Sequence, residues 1–349
     1  MSYGSVTAMK FGYGLLTAQH HPADPRTLVD IYREAVEYGV LSERAGLDSV
    51  WTSEHHFVDD AYLPSQLPVL AAIAARTERI RLGTGVLLAP LFDPVHLAED
   101  AAVTDLISAG RLILGLGLGW RDEEFEGFGI SMKQRPGRME GIISTLRQAW
   151  GDGLTTGDGR YFTYPGINVT PKPARGAATP IWIGAGGEPA VRRAGRVADG
   201  YLGSGASAAA LAERVGWIRD EAAQAGRDPE AVEIAVHRVT FAWRDGDAWA
   251  KIADAARYMN WKYADMGRAR GSTVRKLPGP GDAPSPDDVR SRTIVGSPEQ
   301  VAEQIRAYQE TLGARGSFVF RGHLPGLDPG VQREAFDILV EEVIPLVDG

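Results

Sequence analysis

Eight short apolar segments alternate with helical ones along this 349-residue chain, and few folds accept that order. The most restrictive segment is Arg111–Gly119, RLILGLGLG. It is apolar almost without interruption, as a strand buried on both faces of a parallel sheet must be. Strands are predicted at Met9–Thr17, Ser49–Thr52, Ile80–Leu88, Arg111–Gly119, Pro180–Gly187, Gly200–Ser204, Glu233–Trp243 and Gly316–Arg321. Helices are predicted between them at Arg26–Ala45, Ser65–Arg76, Pro94–Ser108, Arg135–Trp150, Pro189–Ala198, Ala206–Ala225, Ala248–Asp265 and Pro298–Leu312, with a closing helix at Val331–Val347. In the first of these, Leu28, Ile31, Ala35, Tyr38 and Leu41 recur at helical spacing.

The order predicts an α/β fold, a (β/α)8 TIM barrel with insertions after strands 4 and 7. A doubly wound sheet is the alternative, but an eighth strand leading straight into a final helix favours closure. Residues 1–349 are then one domain. After strand 4 come an acidic, aromatic loop, Trp120–Gly129, and a turn-rich excursion, Gly151–Arg175. After strand 7, Gly267–Arg292 carries Gly, Pro, Ser and charges without an apolar period. It is too long for an ordinary connection and reads as a disordered segment or a lid.

Composition narrows the function. A net charge of −8 offers no basic footprint for nucleic acid. The absence of cysteine excludes disulfides and thiolate chemistry. No apolar run approaches the roughly 20 residues that span a bilayer. The N-terminus lacks the basic-then-apolar order of a signal peptide. A cytoplasmic protein acting on a small molecule is expected.

The residues able to carry chemistry gather at strand ends. Gly46–Phe57, GLDSVWTSEHHF, runs from a helix exit through a short strand to Glu54, His55 and His56. The C-terminal ends of strands are where parallel α/β folds bind ligands. Six of the seven histidines (His20, His21, His55, His56, His237, His323) lie on or just after predicted strands, and only His96 sits in a helix. Imidazoles gathered at a barrel mouth can shuttle protons near neutral pH. A hydrogen-bonded structural histidine is the competing reading for each. A zinc site of the barrel-hydrolase kind is not expected, because no His-x-His lies on strand 1 and no other spacing suggests ligands.

Three glycine-rich stretches complete the candidates. In IGAGGEPAVRRAG, a strand runs into Gly184, Gly186 and Gly187 and a helix opens at Pro189. Glycines admit an anion close to the backbone and helix N-terminal amides point at it, so a phosphate site is favoured over a plain tight turn. Gly83 and Gly85 interrupt LGTGVLLAP, and Gly115, Gly117 and Gly119 alternate in strand 4. Such a stripped face suits either a flat ring or tight barrel packing.

Together, MKFGYGLLT, GLDSVWTSEHHF, RLGTGVLLAP, GRLILGLGLGW and VGSPEQ resemble, in the same order, the strings of the luciferase-like flavin monooxygenase superfamily. The EHHF string is closest to the α-subunit of bacterial luciferase. The resemblance implies a flavin-dependent monooxygenase using reduced FMN and O2, with His55 as acid/base; beside it, Glu54 either orients His55 or is a structural partner of a helix or loop. It implies cofactor contacts at Gly85, Val86, Gly117, Gly184, Gly186, Gly187 and Ser204, with a non-prolyl cis peptide at Gly85–Val86 behind the flavin ring. Gly117 stands where luciferase has a reactive cysteine. Leu118 stands where it has a phosphate-binding arginine, which leaves Arg135, Arg138 and the glycine turn to hold the phosphate. Trp120 and Phe125 are candidate pocket walls, and 267–292 matches the mobile lid. The resemblance also implies a homodimer, formed through helices beside strands 2 and 3, and leaves room for a separate flavin reductase. Hydride transfer with the deazaflavin F420 is the alternative activity. A non-catalytic flavin-binding subunit is a third reading, against which the retained His55 argues.

Overall fold

The computed structural model describes residues 9–268 and 285–349. Eight parallel strands close on themselves: β1 (Lys10–Leu16), β2 (Ser49–Thr52), β3 (Arg81–Thr84), β4 (Leu112–Gly117), β5 (Ile181–Ala185), β6 (Gly200–Ser204), β7 (Glu233–Ala242) and β8 (Ser317–Arg321). Each pairs with the next, and β8 returns to β1 through the register Lys10↔Ser317 to Gly14↔Arg321. The barrel and its two insertions match the expectation from the sequence.

The barrel interior is filled by side chains, not by solvent. Leu15, Trp51, Ile113, Trp182, Leu202, Ala235 and Val319 form one cluster, a residue from every strand except β3. The exception has a steric cause. A Cβ on Gly83 would lie 2.2 Å from the Trp51 ring, and one on Gly200 would lie 2.2 Å from Trp182. The two indoles, with centroids 5.4 Å apart, occupy the volume that those side chains would need. Gly115 serves a different closeness, since its Cβ would stand 2.0 Å from the Thr84 carbonyl oxygen. Thr84 Oγ1 in turn donates to the Gly115 carbonyl at 2.7 Å. The glycines of β3 and β4 that face the barrel axis therefore serve packing.

The helices lie outside and bury an apolar stripe against the strands. Helix α1 (Leu28–Arg44) starts at a capping box, Thr27 with Asp30, and buries Ile31, Ala35 and Tyr38. Helix α2 (Gln66–Ala74) and helix α3 (Pro94–Ile107) follow, the latter opened by Asp93 and Pro94.

Three expectations need correction. The loop Trp120–Gly129 contains helix α4 (Asp122–Gly127), whose Asp122, Glu123 and Glu124 favour the positive end of a helix and whose Phe125 is fully buried. The third strand stops at Thr84 and resumes only at Leu87–Leu88, with the Gly85–Val86 peptide cis between them. A second non-prolyl cis peptide, Gly14–Leu15, had no sequence signal. The helix expected over Pro298–Leu312 breaks after Arg306, and Tyr308 at the break donates its hydroxyl to the Ala206 carbonyl at 2.9 Å. The excursion after strand 4 holds helix α5 (Arg135–Ala149) and an antiparallel pair, Thr155–Gly157 with Thr163–Ile167. After β7 come a long helix (Ala248–Arg268) and, beyond the undescribed stretch, a short strand, Ile294–Gly296, that pairs with the end of β7. Most of the expected lid, 269–284, lies outside the described residues. No helix among the described residues is long and apolar enough to cross a membrane.

Replacing Gly115 by Ala forces a methyl group into the Thr84 backbone. The expected cost is about 1–3 kcal/mol of stability, read as a lower midpoint in urea with an unchanged slope. An unchanged midpoint would mean that β3 and β4 separate freely.

Candidate active site

The chain beyond β2 carries Ser53, Glu54 and His55 into the barrel mouth. The main chain there is tied down on both sides, His55 N–H to the Leu63 carbonyl at 3.2 Å and Leu63 N–H to the Thr17 carbonyl at 2.8 Å. His55 is 5 % exposed. Its ring is boxed edge-on by Tyr62, Trp120 and Tyr263, with centroids 4.9, 5.7 and 5.6 Å away.

Glu124 orients this imidazole. Its Oε1 lies 2.8 Å from His55 Nδ1 and also accepts the His56 backbone N–H at 2.9 Å. A carboxylate can only accept, so Nδ1 carries a proton. Nε2 has no hydrogen bond to any described residue. Glu124 is fully buried on α4. The expectation that Glu54 orients His55 is corrected. Glu54 faces His56 Nε2 at 3.2 Å and accepts from Leu88 N–H at 3.1 Å and Gln66 Nε2 at 3.3 Å. It thus ties the end of β2 to the chain following β3.

His55 and Glu54 open on a cavity of about 720 Å³ at the C-terminal ends of the strands. Gly85, Val86, Gly117, Gly184, Gly186, Gly187 and Ser204 all line it. Val86 forms part of the floor, seated between two glycines. A Cβ on Gly117 would meet its Cγ2 at 2.3 Å, and one on Gly184 would meet its Cγ1 at 2.4 Å. Leu15, Ile183 and Leu202 extend this apolar surface.

Beside it, the turn after β5 leads into helix α6 (Glu188–Val197), where an added Cβ on Gly187 meets nothing within 4 Å. The described residues fit a flavin: a flat apolar floor with a glycine turn and helix N-terminus at one end and an imidazole at the other. The cation expected at that turn is placed differently. Arg135 turns away, donating to the carbonyls of Gly119 (2.6 Å) and Met132 (3.1 Å), and Arg138 donates to that of Pro90 at 2.8 Å. Arg193 of α6 lines the cavity instead, and Arg214 reaches to 3.7 Å from where a Gly186 Cβ would stand. Of the two wall candidates, Trp120 lines the cavity, while Phe125 is buried beneath it against Leu88 and Leu91.

The far wall is polar and cationic. His237 of β7 is buried, and its Nδ1 has no partner among the described residues. Burial pushes its imidazole down to about 3, helped by the charges of Arg321 and Arg238. Burial also opposes the Arg321 charge, but the facing Tyr263 and Tyr62 hydroxyls outweigh it and hold the guanidinium protonated. Burial raises Tyr62 well above the ordinary phenol value, with Tyr263 adding to it. Among the described residues, no group of three or more His, Asp or Glu is placed to hold a metal ion. A larger groove, about 1140 Å³, lies outside the barrel between α1 and residues 63–76, and no histidine lines it.

The family model for luciferase-like monooxygenases matches residues 9–315. The chain belongs to that family. Among its relatives is the oxygenase component of flavin-dependent trigonelline monooxygenase from Acinetobacter baylyi, 27% identical over 85% of each chain. Another is the F420-dependent glucose-6-phosphate dehydrogenase of Microbacterium testaceum, 29% identical over 97% of each chain. The FMN-bound oxygenating constituent of 3,6-diketocamphane monooxygenase from Pseudomonas putida superposes with a TM-score of 0.78 at 21% identity, over 97% of this chain and 99% of that one. The family member is an oxidoreductase of a group that includes both FMN and F420 users.

A buried neutral His237 makes this luciferase-like protein acid-sensitive. The unfolded imidazole takes up a proton near the ordinary value of 6.5, whereas the folded one does not until about 3. Stability is therefore full above pH 6.5 and falls as pH drops through that window, by up to about 1.4 kcal/mol per pH unit. His237→Gln should flatten the fall, as checked by urea midpoints between pH 7 and 4.5. An unchanged slope would place the titrating group elsewhere.

Proposed function

We propose that the protein is a flavin-dependent monooxygenase that uses reduced FMN and O2 to oxygenate a small organic substrate, with His55 as acid/base. The observation that carries this reading is the buried His55–Glu124 pair at the edge of an apolar, glycine-lined slot. Reduced FMN, when bound, supplies the electrons that activate O2. Glu124 holds Nδ1–H, so Nε2 is the atom that takes up or returns a proton at the cavity. Trp120, Tyr62 and Tyr263 box the ring and keep water from it. The Gly186–Gly187 turn and the first amides of α6, with Arg193 and Arg214, would hold the phosphate, and Ser204 adds a hydroxyl at the same rim. A separate flavin reductase would supply the reduced cofactor.

F420-dependent hydride transfer is the second reading. It is favoured by the longer match to the F420-dependent relative. Titration of the apoprotein with FMN, F420 and their reduced forms separates the two. Tight FMN with weak F420, and turnover that stops without O2, is the expected result. Tight F420 with turnover under nitrogen would sink the monooxygenase. His55→Asn should lower kcat by about 10²–10⁴-fold while FMN stays bound. Full activity in that variant would remove His55 from the chemistry and leave a flavin-binding role open.

The groove outside the barrel supports a homodimer through α1 and α2. Leu28 and Val29 are 45% and 57% exposed at its rim. Val29→Glu should shift sedimentation from dimer to monomer, and a wild type that sediments as a monomer at all concentrations would refute this assembly.

A further inference from the structure

Arg321, the last residue of β8, ends a strand that is otherwise apolar after Ser317. Only 8 % of it is exposed, and it lines the same cavity as His55. Its Nη2 donates to the Tyr263 hydroxyl at 3.3 Å. Tyr263 lies 2.8 Å from the Tyr62 hydroxyl, which donates to Ser53 Oγ at 3.1 Å. Tyr62 has its one proton engaged there, so Tyr263 is the donor in the middle link. This relay holds one edge of the guanidinium. Nε has no partner among the described residues, and neither does Nη1. No described carboxylate pairs with Arg321. The groups that face it are two phenols and the neutral His237.

A buried charge without a counter-charge is destabilising, and a ligand of opposite charge would complete it. The other arginines at the mouth do not share this condition. Arg193 is paired with Glu140 at 3.0 Å, Arg238 is only half-buried and donates to the Ala206 and Arg292 carbonyls at 3.0 and 2.9 Å, and Arg292 is exposed.

We propose that Arg321 is the anchor for a carboxylate on the substrate, and that the protein acts on small organic acids. The proposal rests on the reading of this cavity as the substrate site. One buried cation among neutral groups matches a monoanion. A phosphate dianion is better served by the glycine turn, the helix N-terminus and the two arginines there. The position also suits a substrate. Arg321 sits over the Tyr263 ring, 5.4 Å from its centroid, and that ring is 5.6 Å from the ring of His55. A carboxylate held at Arg321 would therefore share one cavity with His55.

Benzoate and its neutral isostere benzamide test this by calorimetry, with the protein both FMN-loaded and free of cofactor. Wild type should bind benzoate at least tenfold tighter than benzamide. Arg321→Gln should weaken benzoate by about 30-fold or more and leave benzamide unchanged. Arg321→Lys, which keeps the charge without the fork, should restore part of the difference. Tyr263→Phe should weaken benzoate a few-fold by releasing the held edge. Arg321→Gln should also melt no lower than wild type, because it removes an uncompensated charge; a collapse of the melting point would assign Arg321 a structural role. Equal binding of the two probes by wild type, or an unchanged ratio in Arg321→Gln, overturns the proposal. Loss of FMN affinity in Arg321→Gln overturns it too, by assigning the guanidinium to the cofactor. Failure of FMN to bind wild type would sink the monooxygenase reading while the cofactor-free titration still decides the role of Arg321.

Discussion

The barrel depends on two indoles meeting where two glycines give way. Trp51 and Trp182 reach across the interior, and each lies against a neighbouring strand from which the side chain has been removed, Gly83 in one case and Gly200 in the other. A barrel of eight strands leaves an interior about one layer of large side chains wide. Filling it with tryptophan requires taking volume from the adjacent strand, and glycine is the only residue that does so completely. The strands remain parallel and evenly paired around this plug. Their C-terminal ends are thereby held at fixed distances, and the residues just beyond them can work together.

Above the plug the same substitution of small for large makes a cavity instead of a core. Val86 rests between Gly117 and Gly184, and the floor it forms is flat and apolar. The rim is divided by charge. Glycines, a helix N-terminus and arginines stand on the side of β5 and β6, suited to a phosphate. An oriented imidazole and a lone buried guanidinium stand on the side of β2 and β8.

Much of this was legible in the chain. The strands of β2 and β6 have the bounds that their apolar runs suggested, and β4 differs only by fraying at its ends. Gly85, Val86, Gly117 and Gly184 reach one cavity because each follows or ends a strand. The errors have physical causes. Helix α4 was hidden because three successive acidic residues read as a solvated loop, and their stabilisation by a helix N-terminus leaves no apolar period. Glu54 was paired with His55 because the two are adjacent, yet successive residues of an extended chain point to opposite sides. Arg135 was near the right region but the carbonyls of its own loop claimed it. Arg321 had a signal that could have been used: a cation ending an apolar strand at the ligand-binding end.

By itself the sequence determined the alternation of elements, hence the parallel barrel, and the set of residues delivered to its mouth. Those follow from periodicity and from the rule that strand ends converge, and both are local properties. Tertiary structure alone decided which of those residues touch. Glu124 lies 69 positions from His55 and joins it only because α4 folds back over the end of β2. Arg321 stands without a counter-charge only because β8 closes against β1 and β7, where no described carboxylate lies within reach. Partner choice over such distances is set by the packing of whole elements, and no spacing within the chain encodes it.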